Sequence, residues 1–525
     1  MSLRVRNTFT SRAARTLCAG FVVALMCCPT TFAQNLPTGF MAQQVVGEPF
    51  VNLPVGFAFL PDGRHVVIEK NSGHVRVAAV GSTASSVIGT VPNLTWQGER
   101  GLLGIAVDPG WPLRPYLYFH STHTDTTIHL TMYGVTGDIA DPLSTNLVLG
   151  SPYLLLKFLD QYEHHNGGTV RFGPDGFLYA SFGDDGWTCR VQDVNLLNGK
   201  LLRLDVSQMP GPGSGPPPKA DITPAGNPFF GTSDDARLVF ARGLRNPFRF
   251  TIDPLTNDVY LGDVGDLTWE EVDVIEYSGY TGSNFGWPEL EGFVPNPCCP
   301  TCISQPPYVD PIYVYPNPAD PISAAITCGP LYRRVLGSPA SFGAEYDGNL
   351  FIADSATRWL RRLIRTANGW EVAPPVPGQP SVLDWAVNLG GIVDLQSGPD
   401  GGLYFIAWPG GILARGVWRI VPTTAVDVVA AIAATASARS IPNPATLTAG
   451  VTIEYRLPTI APTLLHIFDV AGHLVRVLPA PDSATGTLHW DGRLPSGQPA
   501  PPGNYFYRVV STTGHMARGR ISLIR

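Results

Sequence analysis

Residues 169–186 read TVRFGPDGFLYASFGDDG, and this stretch decides the fold class. A short strand-like run, VRF, meets the tight turn Pro174-Asp175-Gly176 and returns as the aromatic-rich run FLYASF, a pattern of paired antiparallel strands rather than a helix. The unit recurs along the chain. Pro61-Asp62-Gly63 leads into HVVIEK, Asp108-Pro109-Gly110 into YLYFHS, Asp253-Pro254 into DVYLGDVGD, Tyr346-Asp347-Gly348 into NLFIADS, and Pro399-Asp400-Gly401 into GLYFIAW. Successive units lie about 45 to 95 residues apart, room for two more strands each. An all-β chain built as a six-bladed β-propeller is the economical expectation, because radial repetition buries both faces of every sheet and leaves few free edges. A sandwich array or a β-helix would also give repeated turns.

The composition agrees. The 525 residues hold 56 glycines and 50 prolines, with 44% hydrophobic and only 15% charged residues, which excludes both a small stapled module and a disordered chain. Residues 1–33 read as a signal peptide: Arg4, Arg6, Arg12 and Arg15 precede an apolar run from Leu17 to Cys28, and Thr31-Phe32-Ala33 offers a cleavage site. That run falls short of the roughly 20 residues that span a bilayer. The expectation is an exported protein, periplasmic, on the outer surface or secreted, with no membrane span in the mature chain. Cleavage removes four arginines and no acid, so the mature chain is more acidic than the −7 of the whole sequence. A nucleic-acid partner is disfavoured, since its phosphates would be repelled.

Five cysteines follow the leader: Cys189, Cys298, Cys299, Cys302 and Cys328. In an exported chain they read as disulfide formers, with a stapled loop around CCPTC and one thiol left over. No histidine stands at ligand spacing beside CCPTC, which argues against a thiolate metal site.

The propeller is expected over residues 34–421, an Ala-rich linker over 422–440, and a small β-sandwich over 441–525. In the last segment Val451, Ile453, Tyr455 and Leu457 alternate, HIFDVAGHLVRVL reads as a hairpin, and NYFYRVV as a further strand.

Three stretches carry candidate chemistry. In Glu163-His164-His165-Asn166-Gly167-Gly168 a histidine can take a proton near neutral pH, and glycines let a substrate approach the backbone; the plain alternative is a solvent-exposed turn. In Gly243-Leu244-Arg245-Asn246-Pro247 a guanidinium fork beside an amide suits an anionic cofactor or a sugar, or bridges two blades structurally. Asp263, Asp266, Glu270, Glu271 and Asp273 supply hard oxygen for calcium, or a solvated acidic face.

Taken in order, GERGLLGIAVDPGW, HHNGGTVRFGPDGFLYASFGDDG, NGKLLRLDV, ARGLRNPFRFTIDP, GDVGDLTWEEVDVI and NFGWPELEG resemble the glucose/sorbosone dehydrogenase family over about residues 40 to 421. That family includes soluble aldose sugar dehydrogenases using pyrroloquinoline quinone (PQQ) and the propellers of Hedgehog-interacting-protein-like proteins. The resemblance implies a six-bladed propeller. It also implies that His165 is the base that takes the sugar hydroxyl proton while hydride passes to the quinone, and that Glu99, Arg245 and Asn246 contact the cofactor. The carbonyls of Gly265 and Asp266 would hold the catalytic calcium, and Glu271 with the Phe285 carbonyl a structural one. A small-molecule sugar and an electron acceptor are the implied partners. The segment IPNPA, IFDVAGHLVRVL and WDGRLPSGQPAPPGNYFYRV resembles immunoglobulin-like modules of the hook-capping type and related sorting domains, implying secretion or attachment to the cell surface.

The departures from the family are specific. Glu99 stands where the soluble glucose enzymes carry a cofactor-contacting Gln. Ala356 stands at a family Lys, with Arg358 nearby as a candidate substitute, and Gly391 and Val393 stand at a pair of family Arg that meet the quinone carboxylates. No basic residue lies between Trp385 and Trp408. Two functions are therefore carried forward: a calcium- and quinone-dependent aldose dehydrogenase forming lactones, and a cofactor-free, calcium-containing propeller that binds carbohydrate or protein at the cell surface.

Overall fold

A computed structural model describes residues 35–48, 53–186, 188–229, 233–296, 306–317 and 324–423, and in the C-terminal part 437–446, 450–457, 463–469, 474–480, 483, 485–494, 498–511 and 516–524. The leader and the CCPTC cysteines lie outside these residues.

Each turn unit opens a sheet. Among the described residues the N-terminal part forms six large sheets, each built on four antiparallel strands in ladder order; two of them carry a short fifth strand, and Leu290–Glu291 pairs with Val294–Pro295 in a small separate sheet. Their innermost strands are Pro54–Phe59, Leu102–Val107, Val170–Phe172, Pro247–Ile252, Ile326–Leu331 and Gly391–Ser397. Neighbouring sheets pack against one another in sequence, and the sixth returns to the first, which is the closed ring of a β-propeller. The last sheet is completed by the N-terminal strand Phe40–Gly47, paired antiparallel with Gly416–Pro422. That closure joins the two ends of the ring within one sheet.

The turn aspartates explain why the unit repeats. Asp175 accepts the Phe177 N–H at 3.2 Å and the Tyr179 hydroxyl at 2.8 Å, and pairs with Arg203 of the third strand at 3.0 Å. Asp400 does the same with Gly402 N–H, Tyr404 and Arg419. Asp108 does so with Gly110 N–H, Tyr118 and Arg114. One carboxylate thus fixes the turn and ties it to neighbouring strands, using charge-assisted bonds where burial strengthens them.

At the axis lies Arg249, only 2% exposed. Its five N–H donors go to the carbonyls of Val393 (2.9 Å), Val55 (2.6 Å), Leu103 (3.2 Å) and Phe248 (3.1 Å) and to the Thr169 hydroxyl (3.5 Å). Those partners lie on or beside the innermost strands of five of the six sheets. Asp394, 3.8 Å away and also paired with Arg171 at 3.1 Å, supplies the counter-charge.

The C-terminal module is a two-sheet sandwich. Ser437–Ile441, Val451–Arg456 and Thr485–Trp490 form one sheet. Ala445–Thr446, Met516–Ile524, Gly503–Ser511, Thr463–Phe468 and Leu474–Ala480 form the other, with Trp490, Leu465, Ile467, Tyr507 and Val509 buried between them. Burial of such side chains stabilises by roughly 1.5–3 kcal/mol each.

One detail differs from the sequence reading. The first sandwich strand, Ser437–Ile441, begins inside the stretch read as linker, because Ala438 packs against the module's core. Of the two cysteines among the described residues, Cys328 is buried and free and Cys189 is disulfide-bonded.

Candidate functional site

The loops leading into the second, third and fourth sheets converge on His165. This residue lies in a loop rather than a strand, with φ of +59°, a conformation that costs energy for a side chain bearing Cβ. Three contacts hold it there. Its backbone N–H donates to Glu99 Oε2 at 2.7 Å, its carbonyl lies against Gly183, where a Cβ would come within 2.0 Å, and its ring Nδ1 meets Asp184 Oδ1 at 2.7 Å. Asp184 is fully buried and already accepts the Gly186 N–H on Oδ1 and the Trp287 indole N–H on Oδ2. A carboxylate so placed accepts from Nδ1–H, and in the neutral ring that tautomer has its lone pair on Nε2. The His165 side chain is 17% exposed, enough to reach a substrate.

Arg245 and Asn246 sit in the connection between Val239–Arg242 and Pro247–Ile252, which carries the chain from the third sheet to the fourth. Asp263 accepts both their backbone N–H groups, at 2.8 and 2.6 Å. The Asn246 amide bridges two site loops: its oxygen accepts the Gly167 N–H at 3.0 Å and its nitrogen donates to Glu99 at 3.2 Å. The Arg245 guanidinium lies over the Trp287 ring and donates to Val264 O and Asp266 Oδ1, both at 2.9 Å. The structure therefore gathers His165, Glu99, Arg245 and Asn246 into one bonded cluster, with Asn246 buried.

The acidic run folds into a loop around one carboxylate. Glu291 Oε1 accepts the consecutive N–H groups of Asp266, Leu267, Thr268 and Trp269 at 2.8, 2.9, 2.9 and 3.2 Å. Gly265 has no room for a side chain, since a Cβ would lie 1.6 Å from the Trp269 carbonyl. Behind this loop the acids crowd. Burial pushes Glu271 up to about 8, with Asp263, Glu291 and Glu270 adding repulsion; Glu270 is likewise pushed to about 8 and Asp263 to about 7 by burial. Asp273 is fully buried, and neither of its oxygens has a hydrogen-bond partner, nor has Glu291 Oε2. Glu271 accepts the Gly292 N–H, and Phe285, ring buried, donates its N–H to Arg242 O at 3.0 Å. Among the described residues no three acidic, histidine or cysteine side chains converge as a metal-ligating group.

With this geometry in place, the glucose/sorbosone dehydrogenase family profile matches residues 51–413. The chain belongs to that family. A profile of FlgD immunoglobulin-like domains matches residues 440–515. Among relatives of the family, the HIPL2 protein of Arabidopsis thaliana is 40% identical over 155 residues, covering 26% of this chain and 21% of that protein. The aldose sugar dehydrogenase YliI of Escherichia coli K12 is 26% identical over 237 residues, covering 45% and 58%. The chain thus spans less than two thirds of the length of either relative. The PQQ-bound aldose sugar dehydrogenase from Streptomyces coelicolor shares the fold, with a TM-score of 0.52 at 22% identity over 74% of this chain and 99% of that one.

At the positions where the family resemblance implies cations, the structure offers none. Val393 is buried, its carbonyl committed to Arg249. Gly391 lies so close to the Ser355 carbonyl that a Cβ would meet it at 2.8 Å. Arg358 donates to the Gly410 carbonyl. Two residues of the cluster were not singled out from sequence: Asp184, hidden inside the repeated motif, and Trp287, 103 positions further on. Only their contacts reveal them. No helix among the described residues is long and apolar enough to cross a membrane.

Proposed function

We propose that this chain oxidises the C1 hydroxyl of an aldose to a lactone, with His165 Nε2 taking the hydroxyl proton. The observation that supports this is the His165–Asp184 pair: a buried carboxylate fixes the tautomer and balances the imidazolium formed when the proton arrives. Glu99 and Asn246 hold the His165 loop in its left-handed conformation. Loss of that proton and of a hydride from C1 makes the C1 carbonyl, so a two-electron acceptor must take the hydride.

PQQ is the acceptor the family resemblance implies, and the residues present do not fit it. Its carboxylates would meet Ala356, Gly391 and Val393 where the family places cations, and Glu99 adds another acid to the site. Arg245, the guanidinium at hand, is committed to Asp266 and Val264. Unpaired carboxylates in a desolvated site are costly. The proton half of the reaction is what this chain's own residues account for.

Calcium fits better. Buried carboxylate oxygens without partners on Asp273 and Glu291, beside a raised Glu271, are what a hard dication would relieve. The Gly265 and Asp266 carbonyls are the groups that would hold an ion supplying Lewis-acid polarisation, and Glu271 with the Phe285 carbonyl those that would hold a structural one. The chain is proposed to work outside the cytoplasm, with the C-terminal module as its means of surface attachment.

The missing cations favour a second reading, a calcium-containing propeller that binds carbohydrate or protein without redox chemistry. Dye-linked oxidation of an aldose panel by the calcium-loaded chain, alongside calorimetric titration with PQQ, separates the two. Turnover that disappears in His165→Ala at unchanged melting temperature supports the oxidation. Turnover that survives in that variant sinks the base assignment, and neither turnover nor quinone binding in the parent chain moves the function to the second reading.

A further inference from the structure

The C-terminal module carries the opposite charge to the rest of the chain. Residues 437–525 contain eight arginines, no lysine and four acids, whereas the whole sequence has 35 basic and 42 acidic residues. The arginines divide unevenly between the two sheets. On the three-stranded sheet Arg439 is paired with Glu454 at 2.7 Å. On the outward face of the five-stranded sheet Arg508 stands directly opposite Arg518, and Phe506 directly opposite Arg520. None of these three arginines has a carboxylate partner among the described residues. Like charges set across a strand pair destabilise a sheet, so the pairing is not explained by folding.

The apolar residues of the same face are also unusual. Phe468 pairs with Phe506 across the next ladder, Arg508 lies over the Phe468 ring at 5.1 Å, and Phe506 and Leu464 are 47% and 42% exposed. Guanidinium groups in a row, interleaved with flat apolar side chains, suit a polymer that offers both carboxylates and the C–H faces of sugar rings. We infer that this face binds an acidic polysaccharide. The inference names a partner class for the surface attachment proposed above, and it does not depend on the chemistry at His165. The acidic excess of the remaining chain would hold a polyanion away from the propeller and direct it to this face.

The test uses the full chain with alginate, a polyuronate, against neutral dextran, by calorimetric titration over a series of salt concentrations. Alginate binding should weaken steeply with salt and dextran binding should be absent. Arg508→Gln/Arg518→Gln/Arg520→Gln should lose about tenfold or more in affinity and flatten the salt dependence, while Phe506→Ala should lose affinity without changing the salt slope. Parent-like alginate binding in the triple variant, at an unchanged melting temperature, would overturn the assignment. So would self-association that the triple variant abolishes, tighter binding to a single-stranded oligonucleotide, or binding to phosphatidylglycerol vesicles with none to alginate; the last result leaves surface attachment itself standing.

Discussion

Arg249 at the axis and Asp273 on the third strand of the fourth sheet are both buried charge-bearing groups, and they are finished differently. Arg249 donates every N–H to a partner on or beside the ring of innermost strands. Asp273 has no partner for either oxygen, and burial together with Glu271 and Asp263 pushes its carboxyl well above the usual range. A saturated buried charge is scaffold, because removing it leaves its partners stranded. An unsaturated one marks a place where the fold tolerates a deficit, and such deficits gather where a ligand belongs.

The comparison can be broken at its strongest point first. Arg249→Met should cost about 3–5 kcal/mol in urea unfolding, since it strands four carbonyls and Asp394 together; a loss below 1 kcal/mol would mean the ring closes without it. Next comes the proton-taking pair. Asp184→Asn keeps the shape but offers the wrong hydrogen-bonding partner to Nδ1, so any aldose turnover should fall by about 10²–10⁴ with an altered pH profile and little change in melting temperature. Retained turnover in that variant would remove the tautomer argument.

The pH dependence sharpens the other side. Glu270 and Glu271 are held at about 8 against an ordinary 4.5, so the folded chain keeps protons that the unfolded chain releases. Their contribution to stability is full below the unfolded value and is lost as pH rises through the folded one. In chelator, the melting temperature should therefore fall between about pH 5 and 8, and a flat profile would contradict the crowding of these acids. The smallest effect is expected from Asp273→Asn, which should stabilise the chelated protein at pH 8 by about 1 kcal/mol.

These contrasts also show what sequence could and could not reveal. The repeated turns were legible because Asp175, Asp400 and Asp108 act on residues close in the chain, so the same local chemistry recurs as the same short motif. The sandwich strand Val451–Arg456 was legible from its alternation, and its burial follows that alternation. Ring closure was not, since Phe40–Gly47 meets its partner Gly416–Pro422 from the far end of the propeller. Arg249 in FRF looks like any solvent-facing strand residue until five sheets are brought around it. Of the candidate site, His165, Glu99, Arg245 and Asn246 came from residue chemistry and the resemblance to a family, and the structure does gather them. Asp184 and Trp287 needed three dimensions, because their bond joins residues 103 positions apart. The left-handed backbone of His165 left no trace in a sequence that supplies glycine only after it.

The most direct measurement is the melting temperature of the metal-stripped chain at pH 8, before and after calcium is added. If the crowded carboxylates are an open cation site, calcium at a hundredfold excess over its Kd should stabilise the fold by about 2.7 kcal/mol, a rise of several degrees, and should flatten the pH profile seen in chelator. Superimposable melting curves with and without calcium would contradict that claim, and would make the buried acids a cost of the fold rather than a site.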